Sequence, residues 1–210
     1  MSANLTGGRN APYDILAGAD PVLAELIGRC GRPDPFGFAD GGRTARSNFA
    51  GMALHILAQQ ISTKVALVLY DRLAAATGGV PDPESVLRLD LEQLRALGTS
   101  HSKATYLRAL AEAVLSGALD IERLDGVTDG EAMSELTRVK GIGPWSAEMF
   151  LIHQLRRPDI LPAGDLGIRV AVQHAYSLPG VPATEDVRSR GQAWAPYRTY
   201  AAAVLWASLP

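Results

Sequence analysis

The chain has 210 residues, 47% of them hydrophobic and 20% charged, so it can bury a sizeable core and is not a disordered polymer. No apolar run approaches the roughly 18 residues that span a bilayer, and the single cysteine, Cys30, excludes an internal disulfide, a multi-cysteine zinc site and a four-cysteine iron–sulfur cluster. A formal net charge of −2 argues against a dedicated basic nucleic-acid binder, although Lys64, His101, Lys103, Lys140, Arg156, Arg157 and Arg169 lie near the motifs described below.

In chain order, the N-terminal "MSANLTGGRNAPYD" lacks the apolar segment of a signal peptide, so a cytoplasmic location is expected. "PVLAELIGRC" reads as a short amphipathic helix stopped by Gly31, before the turn-rich "GRPDPFGFADGG". "NFAGMALHILAQQIS" is apolar enough for a buried helix, and "STKVALVLYDRLAAATGG" reads as the next, starting near Ser62 and ended by Gly78 and Gly79. Asp90 and Gln93 stand in capping register for "DLEQLRAL", which stops at Gly98; Thr128 and Glu131 do the same for "TDGEAMSELTRVKG". Between these two lies the helix "SHSKATYLRALAEAVLSG"; after them come "PWSAEMFLIHQLRR", "DLGIRVAVQHAYSL", a polar segment, and "YRTYAAAVLWASL". The expectation is an all-α fold of about ten helices, forming a two-lobed bundle with a groove between the lobes.

The segment "SELTRVKGIGPWSAEMF" joins two of these helices through Gly-Ile-Gly, a turn short enough to force a tight crossing. Glycine permits backbone angles that side chains forbid, and Pro144 suits the first position of the second helix, where its missing N–H is not needed. Amide groups beside Gly141 and Gly143 are candidates to cradle a phosphate, with Lys140 adding a point charge.

"LTRVKGIGPWSAEMFLI" resembles the helix-hairpin-helix of a superfamily of DNA glycosylases, and four other segments match that superfamily in order. "LAQQIS" is similar to its Gln-bearing minor-groove turn, and "GTSHSKATYLRALA" to its Gly-x-Ser-x-x-Lys-x-x-Tyr segment. "DILPAGDLGIRVAV" matches the loop carrying the essential aspartate, and "WAPYRTYAAAVLW" a C-terminal helix of the DNA-3-methyladenine glycosylase II branch. The resemblance covers roughly 45 to 208, which suggests residues 1–45 as an N-terminal extension packing on a glycosylase domain at 46–210.

The resemblance implies a monofunctional enzyme that flips an alkylated base out of double-stranded DNA and hydrolyses its bond to deoxyribose. It assigns the catalytic carboxylate to Asp165, which by itself is also a good helix N-cap. Relatives that also cut the strand carry a nucleophilic lysine where this chain has Trp145, so no Schiff base is expected and the product is an abasic site. Trp206 matches the position that stacks on the flipped base, with Trp145 and Met149 lining the pocket; an aromatic face attracts a cationic alkylated base by about 0.5–2 kcal/mol. DNA contacts are expected from Gln59, Gln60, Ile61, Ser62, Ser102, Lys103, Lys140, Gly141, Gly143 and Arg169, with Gln60 or Ile61 as the wedge that fills the vacated stack. No cofactor is expected, apart from a monovalent cation held by hairpin carbonyls such as Thr137, Val139 and Ile142. The protein is expected to be a monomer, nucleoid-associated in a bacterium. Two alternatives share the fold: a glycosylase for oxidised, deaminated or mismatched bases, and a catalytically silent DNA-binding module.

Overall fold

The computed structural model describes residues 6–38, 40–44 and 46–209, with side chains from residue 10 onward. Among the described residues every regular element is helical: α1 (Thr6–Ala19), α2 (Pro21–Cys30), α3 (Asn48–Ala58), α4 (Thr63–Thr77), α5 (Pro83–Leu87), α6 (Leu91–Ala96), α7 (His101–Leu115), α8 (Asp129–Thr137), α9 (Pro144–His153), α10 (Leu166–Ala175), α11 (Thr184–Arg190) and α12 (Arg198–Ala207). The all-α expectation holds. Three helices go beyond it: α1, which runs through Pro12, the five-residue α5, and α11 within the polar segment.

The helix ends follow local chemistry. Ser62 accepts the Val65 amide to start α4, and Gly78, in the left-handed conformation, ends it. Both expected capping boxes form: Asp90 with Gln93 on α6, and Thr128 with Glu131 on α8. Such bonds satisfy amides that a helix start otherwise leaves orphaned.

The chain divides into two compact units, one of residues 1–37 with 156–210 and the other of residues 38–155. The expected boundary at residue 45 therefore does not separate an appendage from a domain: α1 and α2 share a core with the C-terminal helices.

In the first unit, Tyr13, Leu16, Leu23 and Leu26 of α1 and α2 pack with Ile168, Val172, Val204 and Leu205 of α10 and α12. Each fully buried side chain of this size contributes about 1.5–3 kcal/mol. Trp194 is fully buried there and donates its indole N–H to Asp20 at 2.9 Å. Asp20 also caps α2 and accepts the Tyr176 hydroxyl. Burial pushes the Asp20 carboxyl pKa up, but the bonds from Tyr176, Trp194 and two amides outweigh it and hold the group below its usual value.

In the second unit all eleven residues of α3 are buried, and this helix packs against α4, α7 and α9. The polar residues on so apolar a helix need partners. Asn48 donates to the Ile121 carbonyl and the Glu122 carboxylate, at 3.2 and 3.0 Å. His55 lies with its ring 5.8 Å from that of His153 and 5.2 Å from Phe38.

Candidate functional site

In the first unit, a turn at residues 158–165 brings the chain to Asp165, the N-cap of α10, whose Oδ1 accepts the Ile168 amide at 3.0 Å. The cap role expected from sequence is present. The same oxygen accepts the indole N–H of Trp206 at 3.1 Å, so the structure brings together the carboxylate and the tryptophan that the sequence singled out. Trp206 is half-buried on α12.

The start of α12 is tied to the turn that carries Asp165. Arg198 grips Asp159 with two side-chain bonds of 2.7 Å. The Thr199 hydroxyl donates to the Arg157 carbonyl at 2.7 Å and accepts the Ile160 amide at 3.0 Å. A bidentate guanidinium–carboxylate pair fixes orientation as well as distance. Gly167, which sequence reasoning did not single out, follows: a Cβ there would stand 3.0 Å from Asp165 Oδ1 and 3.5 Å from Trp206 Cδ1. A glycine in the first turn of a helix that needs no special backbone angle was the available signal. Arg169, expected as a DNA contact, donates Nε to the Pro182 carbonyl at 2.8 Å.

In the second unit, α8 and α9 form the helical hairpin. Gly141 has φ 93°, and a Cβ there would fall 2.0 Å from the Tyr106 ring, so both backbone and space exclude a side chain. Gly143 differs: its backbone is extended, it is exposed, and a Cβ would meet nothing within 4 Å. Pro144 is the first residue of α9, as its fixed φ suits, and Lys140 is exposed on the hairpin. Of the carbonyls proposed for a cation, that of Val139 accepts the Ile142 amide at 3.0 Å. Among the described residues no group of His, Cys, Asp or Glu could hold a metal ion.

The turn after α3 is fastened to this hairpin. Gln59 donates to the Gly141 carbonyl at 2.8 Å and to the Ser146 hydroxyl at 2.9 Å. Lys103 donates to the Leu57 carbonyl at 2.7 Å, and burial lowers its pKa. Both side chains, expected on DNA, are engaged by the protein's own backbone. Gln60, by contrast, is exposed at the tip of the turn with φ 57°, followed by half-buried Ile61 and the exposed cap Ser62. Ser102 is exposed in the first turn of α7. Trp145 is half-buried in the first turn of α9, and Met149, one turn later, is buried at 5% exposure.

Among the described residues no helix is long and apolar enough to cross a membrane. The sequence profile of the HhH-GPD superfamily base excision DNA repair proteins matches residues 54–196. DNA-3-methyladenine glycosylase 1 of Schizosaccharomyces pombe is 36% identical over 72% of this chain and 68% of its own. A relative from Bacillus subtilis is 32% identical over 73% of this chain and 56% of its own length. The solved structure of the S. pombe 3-methyladenine DNA glycosylase in complex with abasic DNA superposes with a TM-score of 0.83 at 31% identity, covering 93% of this chain and 95% of that one.

Proposed function

Because this chain belongs to the HhH-GPD superfamily of base excision DNA repair proteins, we propose that it is a monofunctional DNA-3-methyladenine glycosylase that hydrolyses the bond between an alkylated purine and its deoxyribose. The observation that carries the reading is the carboxylate of Asp165, fixed at the start of α10 by the Ile168 amide and the Trp206 indole.

A purine alkylated on a ring nitrogen is already cationic, so it departs with the bonding electron pair and without a proton from a general acid. Positive charge then builds on the sugar as an oxocarbenium-like species, and a fixed carboxylate stabilises it and orients the water that completes the hydrolysis. Trp206 offers an electron-rich ring to the cationic base. The ring of Trp145 supplies no amine for strand cleavage. Extruding the target nucleotide costs about a few kcal/mol, least for a damaged base.

DNA contact falls to the exposed groups: Lys140 and the amides near Gly141 and Gly143 at the phosphate, Ser62 and Ser102 at helix starts, and Gln60 as the wedge with Ile61 behind it. Gln59 and Lys103 act as internal ties that hold these elements in place, while Arg169 ties α10 to the Pro182 carbonyl. The protein works as a monomer on double-stranded DNA.

The test is release of free bases from methylated genomic DNA by the purified protein and its Asp165→Asn variant. Asn retains the capping oxygen, so the fold persists, while excision falls by about 100-fold or more. No methylated base released by the wild type would overturn the alkylation reading. Release unaffected by the variant would remove Asp165 from the mechanism.

A further inference from the structure

The glycosylase reading leaves open what aims the carboxylate, and the following rests on that reading. We infer that Trp206 and Gly167 are positioning residues for Asp165: the indole N–H holds one carboxylate oxygen, and the missing side chain at 167 leaves the space that oxygen occupies. Three observations meet at one atom. Asp165 Oδ1 accepts from Ile168 at 3.0 Å and from Trp206 at 3.1 Å, and a Cβ on residue 167 would approach it to 3.0 Å.

Glycine at 167 has no backbone reason. Its φ lies outside the positive region, where alanine would be strained, and alanine would favour the helix by about 1 kcal/mol. The other atoms near such a Cβ, Trp206 Cδ1 and Leu209 Cδ1, stand at 3.5 Å, an ordinary contact. The close approach is to the carboxylate oxygen, so a methyl group would displace that oxygen by a few tenths of an ångström. Trp206 in turn sits on α12, whose start is fastened to the turn leading into Asp165 through Arg198 and Thr199. Donor and acceptor are thus carried by segments tied to each other at the start of α12. This gives the indole a second task besides stacking: its N–H edge holds the carboxylate.

The two tasks separate by substitution. Trp206→Phe keeps an aromatic face and loses the N–H; Gly167→Ala keeps the indole and crowds the oxygen. Single-turnover excision from methylated DNA is expected to slow about tenfold or more in each variant, because a misplaced catalytic group costs rate. Affinity for abasic-site DNA, which has no base to stack, stays within about twofold. The double variant is no more than slightly slower than the worse single, since both act on one contact.

An activity-independent readout is the indole N–H resonance. The chain has three tryptophans, so the signal absent in Trp206→Phe identifies Trp206; it should move in Asp165→Asn while the other two hold. An unmoved resonance, or wild-type excision by Trp206→Phe, overturns the inference. A parallel loss of rate and abasic-DNA affinity overturns it in favour of a general structural role. If the wild type releases no methylated base, the glycosylase reading fails, and the resonance still decides whether Trp206 holds Asp165.

Discussion

The side-chain amide of Gln59 bridges to Gly141, donating to its carbonyl at 2.8 Å while also reaching the Ser146 hydroxyl at 2.9 Å. One residue therefore fastens the turn after α3 to the hairpin across 82 positions of sequence. Ser146 is only 2% exposed, so removing its partner leaves a buried hydroxyl with one bond fewer. Gln59→Ala is expected to cost about 1–3 kcal/mol of stability, read by denaturant unfolding, and to weaken binding to undamaged and damaged DNA alike. Unchanged stability would show that the bridge contributes nothing net.

The two hairpin glycines should respond differently. Gly141→Ala places a methyl group into the Tyr106 ring at φ 93°, so strain and overpacking add to several kcal/mol or loss of folding. Gly143→Ala meets open space on an extended backbone and should stay within about 1 kcal/mol of wild type. It should nonetheless weaken DNA binding if the proposed phosphate contact is made there, because a methyl group then crowds the approach to the amides. Melting temperatures and DNA titrations of the two variants check this; equal destabilisation would contradict it.

His55 sets a pH dependence. Burial above all, then the neighbouring His153, pushes its pKa from 6.5 down to about 3, against a smaller opposing pull from Asp40. The unfolded chain takes up the proton as pH falls below 6.5, whereas the folded chain does so only near 3. The unfolded state binds more protons across that window, so stability is lost progressively as pH drops through it, at about 1.4 kcal/mol per pH unit at most. His55→Phe should flatten the wild-type slope of unfolding free energy between pH 6 and 4. Identical slopes would exclude His55 as the source.

Two lysines expected on DNA should separate. Lys140→Ala removes an exposed charge and should weaken binding whatever the lesion, lowering the salt slope by about 1. Lys103→Met instead removes the bond to the Leu57 carbonyl; it should cost about 1–3 kcal/mol of stability and leave the salt slope unchanged. Salt titrations of affinity alongside unfolding curves distinguish the pair, and a Lys103→Met slope reduced like that of Lys140→Ala would return Lys103 to the DNA.

By itself the sequence determined the helical class, most helix ends, and the helix cap at Asp165. Caps act over three or four residues: Thr128 meets Glu131, Asp90 meets Gln93, and Asp165 meets the Ile168 amide, so their chemistry is written locally. The helices that escaped it carry a weak or masked signal, although α5 does have the Asp82–Ser85 capping box. α1 runs through a proline that ordinarily breaks helices, α5 is only five residues long, and the cap of α11 is Ala183, with no side-chain acceptor. Only the tertiary structure decided which polar side chains are internal ties. Lys103 finds its acceptor 46 positions away, Gln59 at 82, and Trp206 reaches Asp165 across 41. A polar residue in sequence carries its donors but not their partners, and packing of the helices alone brings those partners within hydrogen-bond reach.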